Sequence, residues 1–171
     1  GLTKTGIFNY YPSKLDLFVD VADHFLFGLQ DPARKFAPSD GTVIDFIEKY
    51  VEGVRRTMDE IVRLGNVRRE LMPGKLANAG YFQLFQQVLF YYPDGRQRLH
   101  ELMESEYELW CRAIRGGVER GELGSGTDVA QAAALFRQVF IGLSYQMSFS
   151  DGLDVELLRQ RFLYIYGLLK R

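Results

Sequence analysis

Residues 1–18 have the sequence GLTKTGIFNYYPSKLDLF, which predicts a short helix, a tight turn and the start of a second helix. Thr3 is an acceptable N-cap, because its hydroxyl can accept a hydrogen bond from a backbone N–H of the first turn. Pro12 disfavours helical backbone at the residue before it and therefore ends the first helix. Ser13 then begins the second helix as an N-cap, with Asp16 as a short-armed partner in a capping box.

Residues 3–17 read TKTGIFNYYPSKLDL, a run that resembles the end of the helix-turn-helix of the TetR family of bacterial transcriptional regulators. In that family the recognition helix and the following turn run roughly Ser/Thr-Lys-x-x-Leu/Ile-Tyr-x-His/Tyr-Phe-x-Ser-Lys-x-x-Leu. Two positions depart from the pattern: Phe8 stands where the family usually has Tyr, and Tyr11 stands where it usually has Phe. The resemblance implies that residues 1–18 are the remnant of a DNA-binding domain and that residues 19–171 form a helical ligand-binding and dimerisation domain.

The resemblance also assigns the DNA contacts. Two earlier helices hold a recognition helix, so we expect residues that precede Gly1 to complete the motif. Hydroxyl, ammonium and amide groups can donate hydrogen bonds to phosphate oxygens, and an amide or ammonium can reach a base edge. The residues expected to contact DNA are Thr3, Lys4, Thr5, Gly6, Asn9, Tyr10 and Lys14. The alternative is an ordinary polar helix start with a cap.

The composition favours one main hydrophobic core. The chain has 171 residues, of which 47% are hydrophobic, and its 21 basic and 22 acidic side chains leave a formal charge of −1. DNA binding must therefore be confined to a small patch whose only cations are Lys4 and Lys14. Cys111 is the single cysteine, and no apolar run approaches the length needed to span a bilayer. We expect a soluble, cytoplasmic protein.

Glycine and proline separate segments with helical periodicity, and no run alternates as a strand would, so the sequence predicts an all-α fold. One helix is expected from Lys14 to about Gln30, and another from a cap at Thr42 and Asp45 to near Gly65. Further helices are expected over residues 81–92, over about 25 residues after Gly95, and after caps at Thr127 or Asp128 and at Asp151.

Aromatic side chains are concentrated in residues 81–92, which are apolar nearly all the way round. Phenol and indole groups combine an apolar body with a polar tip, which suits a cavity for an apolar or aromatic ligand better than one for a charged ligand. The residues expected to bind this ligand are Met58, Tyr81, Phe82, Phe85, Met103, Tyr107 and Trp110. The alternative is that these side chains fill the core.

The last two predicted helices each carry an apolar face. In the TetR family the last two helices pair with their symmetry mates, so the resemblance implies a homodimer. The residues expected at the dimer interface are Phe136, Phe140, Leu143, Met147, Phe162, Ile165, Tyr166 and Leu169. The alternative is a helical bundle within one chain.

No constellation of catalytic residues is present in the sequence. His24 and His100 are the only histidines and lie far apart, and the acidic residues between 101 and 108 share their helix with arginines, as in a solvated face. We expect no enzymatic activity, metal or cofactor. The resemblance implies a repressor that a small molecule releases from a palindromic operator, and the alternative is a small-molecule carrier or protein-interaction module that does not bind DNA.

Overall fold

The computed structural model describes residues 10–36, 41–64 and 77–170, and within these ranges the chain forms helices and no strands. A π-helical segment, Asp23–Gly28, directly follows the first helix. The seven α-helices are α1 (Lys14–Ala22), α2 (Pro32–Lys35), α3 (Val43–Leu64), α4 (Ala77–Tyr91), α5 (Gly95–Glu119), α6 (Val129–Met147) and α7 (Val155–Leu169). The predicted all-α class is confirmed.

The first helix begins where the sequence predicts. The Ser13 hydroxyl oxygen accepts a hydrogen bond from the Asp16 backbone N–H at 3.1 Å, and the same hydroxyl donates to the Asp16 carboxylate at 2.6 Å. The helix continues to Gln30 as predicted, but through the π-helical segment. The Phe25 carbonyl in that segment accepts a hydrogen bond from the Tyr81 hydroxyl of α4 at 2.7 Å, which ties the two helices together.

Two further caps confirm and correct the sequence reading. Thr42 and Asp45 form a reciprocal capping box, in which the Thr42 N–H donates to the Asp45 carboxylate at 2.8 Å and the Asp45 N–H donates to the Thr42 hydroxyl at 3.2 Å. Asp151 does not cap α7. Gly152 has a φ of 85°, which continues the preceding turn, and Asp154 caps the helix instead by accepting from the N–H groups of its first turn.

The larger core cluster lies among α3, α5, α6 and α7, with Trp110 at its centre. The indole is fully buried and stacks on Phe136 with ring centroids 4.3 Å apart and an interplanar angle of 7°. Phe46 and Phe162 meet the indole edge-on at 4.8 and 5.2 Å. Aromatic pairs in these geometries stabilise the fold beyond the area they bury.

The smaller core cluster joins the π-helical segment to α4 and α5 and contains Ala22, Leu26, Phe27, Tyr81, Val88 and Leu99. Its helices approach closely at Gly95, where an added Cβ would lie 2.2 Å from the Val88 carbonyl oxygen. Among the described residues, no helix has the length and apolar character required to cross a membrane.

Candidate functional site

A cavity of about 450 Å³ lies between the two core clusters and draws wall residues from both. This volume falls within the usual range for sites that hold small organic molecules. The apolar wall consists of Phe36, Val54, Met58, Ile61, Tyr81, Phe82, Phe85, Leu89, Leu99, Leu102, Met103, Phe140, Ile141 and Leu153. The polar wall consists of Gln30, Lys35, Thr57, Gln86, Arg96, His100, Glu106 and Ser144.

Five of the seven residues predicted to bind a ligand come together on this wall. They lie on three helices that are separated in sequence, which brings the aromatic face of α4 opposite α3 and α5. The five are Met58, Tyr81, Phe82, Phe85 and Met103.

Tyr107 and Trp110 are not on the cavity wall, which corrects their predicted placement. Trp110 is fully enclosed by the larger core cluster, as the core-filling alternative requires. Tyr107 faces α6: its hydroxyl donates to the Ala130 carbonyl at 3.4 Å, and the Arg137 guanidinium lies 5.3 Å from its ring centroid. Tyr107 directly follows the cavity residue Glu106 on α5 but faces α6 instead, and Trp110 lies one turn further along the helix.

The sequence reading missed Lys35, a buried lysine on the cavity wall. Its side chain belongs to the short helix α2, which begins with Pro32 and is capped by Asp31, whose carboxylate accepts from the Ala33 N–H at 3.0 Å. Lys35 is only 6% exposed. Its ammonium donates to the Gln30 side-chain oxygen at 2.5 Å.

Aromatic rings complete the surroundings of this ammonium. The Lys35 Nζ lies 5.2 Å from the ring centroid of Phe36 and 5.6 Å from that of Phe140, both within cation–π range. Burial lowers the pKa of the Lys35 ammonium to about 8, although the nearby Glu106 carboxylate opposes that shift. The cavity therefore contains a desolvated cation at one place on an otherwise mainly apolar wall.

Gly53 allows α2 to approach α3 closely enough to put Lys35 there. A Cβ at position 53 would lie 2.5 Å from the Lys35 carbonyl oxygen and 2.9 Å from the Phe36 ring. The same carbonyl accepts a hydrogen bond from the Arg56 guanidinium at 3.0 Å. The lysine is thus positioned by a contact between backbones that are distant in sequence.

A second polar group on the wall is Glu106 of α5. Its carboxylate accepts a hydrogen bond from the hydroxyl of Tyr50, a fully buried residue of α3. Burial is the main cause that raises the pKa of the Tyr50 hydroxyl well above its ordinary value, so this group remains a donor. Phe36 stacks on the Tyr50 ring with centroids 4.0 Å apart, which connects Glu106 to the helix that carries Lys35.

The residues predicted for a dimer interface mostly face the core of their own chain. Phe136 and Phe162 are fully buried, and Ile165 and Tyr166 are nearly so. Phe140 lies on the cavity wall, and the remaining three, Leu143, Met147 and Leu169, pack against the larger core cluster. This face therefore contributes to packing within its own chain, because α6 and α7 use it to enclose Trp110.

A different face of the last two helices is exposed. It carries large apolar side chains, of which Tyr164 is 68% exposed, together with small and amide residues such as Gly142 and Gln138. Apart from Ile141, which lies on the cavity wall, the exposed apolar residues from α6 to α7 are Leu135, Tyr145, Phe149, Tyr164 and Leu168. We name this set the outer face of α6 and α7.

Two of the residues predicted to contact DNA can be placed. Tyr10 is 76% exposed, and Lys14 is exposed in the first turn of α1. Tyr11, between them, donates a hydrogen bond from its hydroxyl to the Asp20 carboxylate of the same helix. The other five, Thr3, Lys4, Thr5, Gly6 and Asn9, lie outside the described residues.

Comparisons with protein-family models, with curated proteins and with solved structures find no match for this chain. In the part of the chain that the structure describes, no group of three or more His, Cys, Asp or Glu side chains is arranged to hold a metal ion. The geometry of the cavity and the sequence of residues 3–17 are therefore the observations that bear on function.

Proposed function

We propose that this protein is a ligand-responsive, DNA-binding transcriptional regulator, and that it acts as a repressor which a small molecule releases from a palindromic operator. The observation that carries the proposal is the run at residues 3–17, whose spacing resembles a TetR recognition helix and turn. The cavity supports the sensing part of the proposal. It lies at the end of the helical stretch that follows residues 3–17, and most of the predicted ligand residues line it.

The connection between DNA and cavity is α1 with its π-helical extension. This continuous helical stretch has Lys14 in its first turn and ends at Gln30, a cavity residue that binds Lys35. A ligand that contacts the Gln30 end can therefore bias the position of the Lys14 end. A preference of about 1–3 kcal/mol for the arrangement that cannot bind DNA would weaken operator affinity about 5- to 150-fold.

The proposed repressor is a homodimer that uses the outer face of α6 and α7. A palindromic operator requires two recognition helices related by a two-fold axis, and an isologous interface provides that relation. Exposed aromatic side chains such as Tyr145, Phe149 and Tyr164, next to small residues such as Gly142, supply the apolar contact area and the close approach of such an interface.

A mobility-shift titration of the full-length protein on the DNA upstream of its own gene tests this function. We expect the unmodified protein to bind this DNA at low salt and Lys14→Glu to bind it several-fold more weakly. The slope of log affinity against log salt concentration should decrease in the variant by about the contribution of one phosphate contact. The matched control is Lys49→Glu, an exposed lysine on α3, which should leave binding unchanged. Absence of binding at low salt would contradict the regulator, and sedimentation of the same sample as a monomer would contradict the dimer.

The cavity alone favours a second candidate, a small-molecule carrier. Its volume and its apolar wall are as suitable for transport of an organic molecule as for sensing one. A carrier predicts ligand binding without any shift of the upstream DNA, so the same titration separates the two functions.

A further inference from the structure

We propose that the cavity binds a small organic acid with an aromatic or aliphatic body, and that the Lys35 ammonium and the Gln30 amide hold its carboxylate. This inference deepens the proposed function, and it rests on that function only in taking the cavity as the sensing site. An acid differs from the uncharged ligand that the aromatic residues alone predict, because a buried lysine lies on the wall.

Lys35 is a buried cation with no ion pair among the described residues. Among the described residues, no carboxylate oxygen lies within 4.0 Å of its Nζ, although six other ion pairs in the same part of the chain meet that distance. Removal of an ammonium from water is costly unless an opposite charge or several hydrogen bonds compensate. A ligand carboxylate would supply the missing counterion.

The Lys35 ammonium has N–H donors that the Gln30 oxygen does not use. An ammonium has three N–H donors, and the Gln30 oxygen accepts one of them. The Gln30 side chain also hydrogen-bonds the Tyr81 hydroxyl, which leaves one N–H of its NH₂ group to donate to a ligand. A carboxylate placed here could accept from Lys35 with one oxygen and from Gln30 with the other, which is a charge-assisted arrangement.

The charged side chains on the cavity wall leave a net positive charge. Lys35 and Arg96 contribute two positive charges, against one negative charge from Glu106, whose carboxylate is already engaged by the Tyr50 hydroxyl. A cationic head group would face the buried ammonium, and a neutral one would leave it unpaired. The apolar and aromatic remainder of the wall determines the body of the ligand.

Three probes with one carbon skeleton separate these cases: phenylbutyrate, phenylbutanol and phenylbutylamine. In calorimetric titrations of the full-length protein near neutral pH, we expect the acid to bind at least about ten-fold more tightly than the alcohol, with the amine weakest. Lys35→Met keeps most of the length of the side chain and removes its charge. It should bring the affinity for the acid close to that for the alcohol, while the affinity for the alcohol is maintained and shows that the variant is folded.

Two matched controls locate the effect. Arg34→Met removes an exposed cation from the same helix, and Arg96→Met removes the other cation from the cavity wall, and neither should abolish the preference for the acid. Loss of the preference in Arg96→Met with retention in Lys35→Met would overturn the assignment. Equal binding of acid and alcohol by the unmodified protein would overturn the inference and leave the cavity as a ligand site, whereas no binding of any probe would overturn both.

The dependence of binding on pH provides an independent readout that needs no variant. The pKa of Lys35 is about 8, so the affinity for the acid should fall about ten-fold between pH 7 and pH 9 as the free amine forms. Other titratable groups lie on the cavity wall or hydrogen-bond to it, namely Glu106, Tyr50, Arg96 and His100. The affinity for the alcohol, measured at each pH, reports their contribution. If the affinity for the acid and the affinity for the alcohol change in parallel between pH 7 and pH 9, the pairing of the carboxylate with Lys35 is contradicted.

Discussion

Replacement of Trp110 by Ala is expected to lower the free energy of unfolding by about 3–5 kcal/mol, the largest loss among the substitutions considered. The indole is fully buried, stacks on Phe136 and meets Phe46 and Phe162 edge-on. Its removal would leave a cavity among four helices that pack through this one side chain. Urea unfolding, monitored by circular dichroism because the chain has a single tryptophan, measures the change.

Met103→Ala is the matched control, because Met103 lies on the same helix but is 37% exposed and on the cavity wall. It should cost about 1 kcal/mol or less in stability and should weaken binding of phenylbutyrate. If Trp110→Ala instead kept full stability and lost the ligand, the indole would belong to the ligand site and the placement of the core would be wrong.

Gly53→Ala is expected to lower the free energy of unfolding by about 1–3 kcal/mol, although alanine is the better helix former. The added Cβ would lie 2.5 Å from the Lys35 carbonyl oxygen, which belongs to backbone and cannot rotate away. Helix α2 would have to move from α3, and Lys35 would move with it. The preference for phenylbutyrate over phenylbutanol should therefore decrease together with stability.

Gly80→Ala on α4 provides the comparison for this substitution. A Cβ at position 80 meets nothing within 4 Å, so only the helix propensity changes, and stability should rise by up to about 1 kcal/mol. Thermal unfolding of the two variants, measured under the same conditions, separates the effect of helix propensity from the effect of the steric contact. A Gly53→Ala protein that gains stability as Gly80→Ala does would contradict the close approach of α2 and α3.

Local signals in the sequence were sufficient for the longer helices, although α4 begins at Ala77 rather than at residue 81 and the short helix α2 was not predicted. Apolar residues at spacings of three and four predict α3 and α5, and the reciprocal cap at Thr42 and Asp45 confirms the predicted start of α3. The cap of α7 was misplaced by three residues, from Asp154 to Asp151, because both are aspartates and the turn at Gly152 between them has no stronger local signal.

Contacts between residues distant in the chain could not be predicted from the sequence. Helix α6 is apolar on two sides, so its periodicity does not show whether Phe136 or Tyr145 faces inward; the packing around Trp110 decides it. The burial of Lys35 depends on Gly53, which lies on another helix. Nothing in the local sequence around Lys35, where Arg34 precedes it, distinguishes a buried lysine from an exposed one.

The most direct test of the account is the affinity of the full-length protein for the DNA upstream of its own gene, measured by fluorescence anisotropy with and without saturating phenylbutyrate. We predict that the ligand weakens DNA binding about 5- to 150-fold, and that Lys35→Met keeps the DNA affinity but needs a phenylbutyrate concentration at least about ten-fold higher for the same response. The same DNA affinity with the cavity occupied, or no DNA binding at low salt, would contradict the account.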